Sequence, residues 1–136
     1  MLDEKIPFVK DSGVNPSLYS PLALAFLGDA VFSLLVREQL LLQANRPAGQ
    51  LHRLATAQVN AKAQADLARE LLLHFSDEEA AVFRRGKNAK PGTVPQSCTA
   101  QEYALATGLE ALFGWLWLHG EFTRARQLFL LTQTPK

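Results

Sequence analysis

The chain has 136 residues, of which 48% are hydrophobic, and this suits one compact domain with a real core. Lys and Arg number 14 against 13 Asp and Glu, so net charge alone identifies no class of partner. The single cysteine, Cys98, excludes an internal disulfide framework and a cysteine-based zinc site. The charged N-terminus lacks the apolar core of a secretory signal, and no uncharged apolar run approaches the ~20 residues that span a bilayer. A soluble cytoplasmic protein is therefore expected.

The first part of the chain is predicted to be a polar arm followed by one long helix. Residues 1–17 are expected to form an irregular N-terminal arm, and residues 18–136 are expected to form a single domain. Ser20 followed by Pro21 is typical of an N-cap and a first helical turn, and the helix is predicted to continue to about Gln43.

The rest of the chain is predicted to be helical as well. Apolar residues recur at spacings of three and four between positions 48 and 74, which predicts one or two amphipathic helices. Two capping boxes follow, Ser76 with Glu79 and Thr99 with Glu102, and each predicts the start of a helix. The last three predicted helices end near Gly86, His119 (with Gly120 at C′) and Thr132. Because no convincing strand and no Gly-rich phosphate loop is found, the fold class is all-α and no nucleotide cofactor is expected.

Two of the predicted helices each carry one carboxylate in an otherwise uncharged stretch. Asp29 lies within LALAFLGDAVFSLLV at residues 22–36, and Glu110 lies within ALATGLEALFGWLWL at residues 104–118. Burying an unpaired charge costs several kcal/mol or more, so each carboxylate needs a physical reason. The residues one turn before and after each carboxylate are small and share its helix face. They are Ala25 and Ser33 around Asp29, and Ala106 and Gly114 around Glu110.

A divalent cation would account for the two carboxylates. Small neighbours leave a pocket on the helix face, and Mg²⁺ takes one or two carboxylates from a protein while it keeps several waters. Asp29 and Glu110 on facing helices could provide them. Alternatively, each acid could lie at the rim of the core and face water, or it could pair with an arginine such as Arg37 or Arg53. The spacing of the residues does not decide between a cation, water and an arginine.

A basic segment, RRGKNAKPGT at residues 84–93, covers the end of the predicted helix that starts at Ser76 and the loop after it. No acidic residue occurs between positions 80 and 101, and cations alternate with Gly, Pro and Asn. Such a segment suits phosphodiester oxygens, and its lack of aromatic residues favours double-stranded over single-stranded RNA. The alternative is an ordinary solvated surface. The candidate RNA-binding residues are Arg84, Arg85, Lys87, Asn88 and Lys90.

These segments resemble the ribonuclease III family. FLGDAV at residues 26–31 and LEALFGWLWL at residues 109–118 are similar to its two signature helices. LALAFLGDAVFSLLVR and RRGKNAKPGTVP resemble the Mini-ribonuclease III branch, which has the catalytic domain without a double-stranded-RNA-binding domain. The likeness extends over residues 22–118. It implies the all-α endonuclease-domain fold and a homodimer in which two active sites line one cleft for duplex RNA.

The resemblance also implies roles for the two carboxylates. Asp29 matches the catalytic aspartate and Glu110 the metal-binding glutamate, so both are candidate catalytic residues and ligands of Mg²⁺, for which Mn²⁺ could substitute. Full-length relatives carry further acids where this chain has Ala25 and Thr107, and relatives often have Glu at Ser33. One firmly held Mg²⁺ per active site is therefore expected. The implied reaction is hydrolysis to 5′-phosphate products, and the implied substrate is the paired ends of precursor 23S ribosomal RNA.

The sequence leaves two further functions open. The missing acids at Ala25 and Thr107 would suit a catalytically silent duplex-RNA-binding or ribosome-associated protein on the same fold. A helical interaction module that does not bind RNA is a third possibility, and in that case the basic segment would have no function.

A homodimer would cover surplus apolar residues of the signature helices, whereas a monomer would have to bury them in its own core. These residues are Phe26, Leu27, Phe32, Phe113, Trp115 and Trp117.

Overall fold

The computed structural model describes residue 13 and residues 15–90 and 92–133. Within this part of the chain there are helices and no strand, so the all-α prediction is confirmed. No described helix combines the length and the apolar character needed to cross a bilayer. The helices are α1 (Pro21–Gln43), α2 (Ala48–Gln58), α3 (Ala61–Leu71), α4 (Asp77–Lys87), α5 (Ala100–Leu118) and α6 (Phe122–Leu131), with short 3₁₀ turns at Pro16–Leu18 and Leu72–His74.

The helix starts predicted from capping residues are confirmed. The Ser20 hydroxyl accepts a hydrogen bond from the Ala23 N–H at the start of α1. At α4 and α5 both capping boxes close reciprocally, because the N-cap hydroxyl accepts from the N3 backbone while the N3 glutamate accepts from the N-cap backbone. Gly120 has a φ of +74°, as expected for the C′ residue after α5.

The region from 48 to 74 forms two helices and a 3₁₀ turn. Asn60 separates α2 from α3, because its side chain accepts from the Ala63 N–H and starts a new helix there. Helix α4 ends one residue after the predicted Gly86. Most of the predicted N-terminal arm, and Pro91 of the basic segment, lie outside the described residues.

Helix α5 is the central element of the fold, and α1, α3 and α4 pack around it. From Leu105 to Leu116, every residue except Glu110 is buried. This explains why the α5 sequence is apolar on all sides rather than on one stripe. Phe32 of α1 contacts both Phe113 and Phe129, with ring centroids 5.9 and 5.8 Å apart. The long apolar helix is therefore the core of the domain.

Glycines allow two helices to approach α5 backbone against backbone. A Cβ at Gly28 of α1 would overlap the carbonyl oxygen of Glu110, and a Cβ at Gly114 of α5 would overlap the carbonyl oxygen of Leu24. A Cβ at Gly86 of α4 would lie only 2.9 Å from the Cα of Gly108. Both crossings therefore require residues without a side chain. They fix where α1 and α4 meet the middle of α5.

Candidate active site

The structure brings Asp29 and Glu110 together in one open pocket. Asp29 follows Gly28, which packs on the backbone of Glu110, so the α1–α5 crossing itself sets the two carboxyl groups side by side. Asp29 is exposed, whereas Glu110 is partly buried. The remaining pocket walls come from the start of α1 and the first half of α5. The lining residues are Leu22, Ala25, Phe26, Asp29, Tyr103, Thr107 and Glu110.

The electrostatics of the pocket favour binding of a cation. Burial raises the pKa of Glu110 from 4.5 to about 8, and the neighbouring Asp29 contributes both by accepting a hydrogen bond from the protonated form and by its negative charge. At neutral pH Glu110 therefore retains a proton that a bound cation would displace. A carboxylate pair whose charge is uncompensated in this way is a candidate functional site.

Neither carboxylate is neutralised by an arginine. The side-chain ion pairs found among the described residues join Arg69 to Asp66, Arg124 to Glu79, and Arg126 to Glu38. The pairing with Arg37 or Arg53 that the sequence left open is therefore not observed. Asp29 instead faces solvent across the pocket, where a ligand can reach it.

No third acid joins the pair in the described part of the chain. No group of three or more His, Cys, Asp or Glu side chains converges there. Ala25 and Thr107 line the pocket where further acids were possible, and the Thr107 hydroxyl donates to the carbonyl oxygen of Tyr103 at 2.8 Å within its own helix. The donor set of two carboxylates in an open pocket nevertheless fits Mg²⁺, which keeps several waters.

The sequence interpretation missed Gln64 of α3, which lies next to Glu110 but does not line the pocket. It is 4% exposed, and its Nε2 atom is buried without a hydrogen-bond partner. An orphaned buried donor costs about 1–3 kcal/mol. The Gln64 amide faces Glu110 closely enough to lower its pKa, although the pair does not meet hydrogen-bond geometry. The available signal was its spacing to the buried Ala68 and Leu71, which places a polar residue on the core stripe of α3.

The candidate RNA-binding residues are exposed, at the end of α4 and in the following loop. They are Arg84, Arg85, Lys87, Asn88 and Lys90. Three of the cations lie in the last turn of α4, where they also complement the helix dipole. A guanidinium N–H of Arg85 donates to the Tyr19 carbonyl oxygen at 3.3 Å, so this side chain ties α4 to the segment before α1.

The basic segment lies beside the carboxylate pocket. Gly86 packs against α5 so closely that an added Cβ would lie 3.2 Å from the carbonyl oxygen of Thr107, a residue of the pocket wall. The backbone that carries the cations on either side of Gly86 therefore lies close to the part of α5 that carries Glu110. The end of α4 thus packs on the same stretch of α5 that carries Thr107 and Glu110.

Comparisons with known proteins identify the family of the chain. The Ribonuclease III domain family matches residues 22–121. The chain is 44% identical over 113 residues to Mini-ribonuclease 3 of Thermoanaerobacter sp. (strain X514), covering 83% of this chain and 80% of that protein. It is 42% identical over 114 residues to Mini-ribonuclease 3 of Symbiobacterium thermophilum, covering 84% and 88% of the two chains.

A solved structure shows the same fold. The crystal structure of a Fusobacterium nucleatum protein superposes with a TM-score of 0.78 at 34% identity, covering 84% of this chain and 87% of the other. The order of the helices, the family match and the curated relatives all indicate the same family. The chain therefore belongs to the ribonuclease III family, in its Mini-ribonuclease 3 branch, and is an endoribonuclease of a family that acts on double-stranded RNA.

Proposed function

We propose that this endoribonuclease cleaves double-stranded RNA with Mg²⁺ held by Asp29 and Glu110, and that it matures the paired ends of precursor 23S ribosomal RNA. The observation that carries the catalytic part is the meeting of Asp29 and Glu110 in one open pocket. The ribosomal substrate is supported by the resemblance of the sequence to the Mini-ribonuclease III branch.

The two carboxylates have different parts in this proposal. Asp29 is exposed and faces the incoming RNA, whereas Glu110 is held in place by the backbone crossing at Gly28. Mg²⁺, when bound, supplies an activated water and stabilises charge on the phosphate. Glu110 gives up its proton to serve as a ligand, because ligating carboxylates are ionised. Hydrolysis leaves a 5′-phosphate and a 3′-hydroxyl.

The basic segment supplies the duplex-binding surface in this proposal. Arg84, Lys87, Asn88 and Lys90 offer exposed donors for phosphate oxygens, and the segment lacks aromatic residues for stacking unpaired bases. Duplex RNA is recognised largely through its shape, its phosphates and its 2′-hydroxyls. Arg85 contributes by anchoring α4 to the Tyr19 carbonyl and leaves its other guanidinium donors available.

A homodimer is part of the same proposal. Phe32, Phe113 and Trp115 are buried in the core of the single chain, so they need no partner. Phe26 is different, since it is 84% exposed on the same end of α1 as Leu22 and borders the carboxylate pocket. A second copy covering Phe26 would place two pockets along one cleft.

Cleavage of a defined duplex RNA tests the catalytic assignment. The parent protein should cut the duplex only with Mg²⁺ or Mn²⁺, and Asp29→Asn and Glu110→Gln should each lower the rate on the order of 10³-fold or more, since the metal contributes several kcal/mol. Asp66→Asn, which changes an exposed acid in a surface ion pair, is the matched control and should retain full activity. Duplex binding without metal-dependent cleavage by the parent would contradict the proposal.

The same RNA tests the basic segment. Lys87→Glu with Lys90→Glu should weaken duplex binding and reduce its salt dependence, because fewer counterions are released on binding. Lys62→Glu is the matched control, as Lys62 is exposed on α3. An unchanged salt dependence in the double variant would show that the segment does not contact phosphates.

A competition experiment tests the ribosomal substrate. It compares, in one reaction, a duplex from the end of precursor 23S ribosomal RNA with a generic duplex of equal length.

A further inference from the structure

Gln64 is a buried polar side chain in a contact made otherwise of small and apolar residues. On the same helix Ala65 and Ala68 are fully buried, and the facing α5 is apolar on both sides of Glu110. The Gln64 Nε2 donor has no hydrogen-bond partner, and the group it faces is the carboxyl of Glu110. A hydrophobic residue of the same size would pack there without leaving a donor unpaired. Packing alone therefore gives no reason for the amide.

We infer that Gln64 is a positioning residue, whose buried amide N–H groups hold the ionised carboxylate of Glu110 in the orientation needed to bind a divalent cation together with Asp29. This inference rests on the proposed function, because it assigns Gln64 a task within the same metal site. A carboxamide nitrogen has two N–H donors, and the ionised carboxylate is the acceptor that can satisfy one of them. The unpaired donor thus becomes paired when a carboxyl oxygen of Glu110 turns toward it.

A neutral donor suits this position. An amide supports the carboxylate without adding a positive charge that would compete with the cation, as a lysine would. The amide is also 4% exposed, so water does not compete for its unpaired donor. Hydrogen-bonded partners behind a metal ligand commonly hold it in this way.

Metal binding to the RNA-free protein tests the role of Gln64. Gln64→Met keeps the length of the side chain and removes its donors. We expect this variant to bind Mn²⁺ roughly 10–100-fold more weakly, the usual effect of losing a partner behind a ligand. The Kd is measured from the electron paramagnetic resonance signal of free Mn²⁺, and thermal unfolding is followed in parallel. The variant should unfold at or above the parent temperature, because no buried donor is left unpaired.

Two further variants make the outcome decisive. Leu71→Val lies two turns later on the buried face of α3 and lowers stability without touching Glu110, so its Mn²⁺ affinity should equal that of the parent. Gln64→Leu serves as a second apolar replacement if Gln64→Met folds poorly. In cleavage assays, both Gln64 variants should need more Mg²⁺ for half-maximal rate while the KM for duplex RNA stays unchanged.

The results separate the two levels of the proposal. Parent-like Mn²⁺ affinity and Mg²⁺ requirement in the Gln64 variants would overturn the positioning role, even if Glu110→Gln abolishes binding as expected. If Glu110→Gln leaves Mn²⁺ binding intact, the metal site itself is wrong and the role of Gln64 is overturned with it. Weakened binding in Leu71→Val equal to that in Gln64→Met would show a general effect of the α3 contact and would also overturn the inference.

Discussion

Glu110 is the one position between Leu105 and Leu116 of α5 that is not fully buried, and it meets Asp29 there. A carboxylate at such a place lowers the stability of the protein unless it is protonated or bound to a cation. Such an energetic cost is common where a site needs a perturbed group, and it supports the proposed metal-binding role of Glu110.

The cost of ionising Glu110 in the folded protein predicts a pH dependence of stability in the metal-free protein. The pKa of Glu110 is about 8 in the folded state against 4.5 in its ordinary state, so between these values only the folded state keeps the proton. The free energy of unfolding should therefore include a contribution that is complete below about pH 4.5 and lost as the pH rises through 8. Urea unfolding of the parent and of Glu110→Gln across this range measures the difference.

Glu110→Gln lacks the titrating group, so the parent should lose stability relative to this variant as the pH rises. Added Mg²⁺ should restore stability to the parent at pH 8 and leave the variant unchanged, because a cation replaces the proton between the carboxylates. Parallel pH profiles of the two proteins would show that Glu110 titrates normally.

At the residue scale, the sequence predicted part of the site. A single charge in each of two apolar helices indicated Asp29 and Glu110 as candidates, because burial of a lone charge demands a reason. The structure places the two side by side, with Glu110 partly buried and Asp29 exposed. Gln64 gave a weaker signal, because a neutral amide among alanines is equally typical of an exposed helix face. Only the position of α3 against α5 shows that Gln64 points inward. Tyr103 also lines the pocket, and the sequence did not predict this.

At the scale of helices, the crossing of α1 and α5 determines the site. Gly28 and Gly114 allow direct contact between the two backbones, so the spacing of the carboxyl groups depends on main-chain positions rather than on flexible side chains. Sites built on helices in this way are more precise than sites on loops.

A methyl group at Gly28 should therefore damage both stability and the site. Gly28→Ala would push the Cβ into the carbonyl of Glu110, and backbone cannot move aside as a side chain can. We expect a loss of about 3 kcal/mol or more in the free energy of unfolding, at the upper end of overpacking effects. Chemical denaturation measures it.

Gly49→Ala in α2 is the matched control for Gly28→Ala. An added Cβ at Gly49 meets only an Arg53 guanidinium nitrogen at 3.6 Å, an ordinary contact. This variant should be stabilised by about 0.4–1 kcal/mol, as for other helical Gly-to-Ala changes that cause no strain. A Gly28→Ala variant as stable as Gly49→Ala would mean that the α1–α5 crossing is less tight than described.

Helices were easier to predict than their contacts. Capping residues such as Ser76 and Thr99 act locally, so the sequence alone located the helix starts. The core stripe of α3 was harder, because its alanines occur on several faces. The apolar spacing of three and four predicts a stripe through Ala63, Leu67 and Leu71, and of these only Leu71 is buried. The other buried residues of α3 are Gln64, Ala65 and Ala68.

At the scale of the whole molecule, exposed apolar residues remain after the core is complete. Phe26 is the notable one, because it borders the pocket and is not covered by any helix in the described part of the chain. The sequence could indicate surplus apolar residues in α1 and α5 but not which of them the single chain would bury.

The proposed dimer predicts a specific effect of changing Phe26. Phe26→Asp should convert a dimeric parent into a monomer, because a charge would be buried in the contact between two copies. Sedimentation equilibrium at micromolar concentrations gives the mass of each protein. Leu73→Asp is the matched control, since Leu73 is 95% exposed in the turn after α3 and should not affect the mass. A monomeric parent, or a dimeric Phe26→Asp variant, would contradict the proposed contact.

The two carboxylates come from helices that are separated by three other helices in the chain, and this has a consequence for synthesis. Helix α1 leaves the ribosome before α2, α3 and α4, and its partner carboxylate on α5 is made only after them. Contacts between such distant segments close late, after most of the chain is available. A partly made chain that lacks α5 thus holds only one of the two acids, so the proposed metal site can form only after α5 has been synthesised.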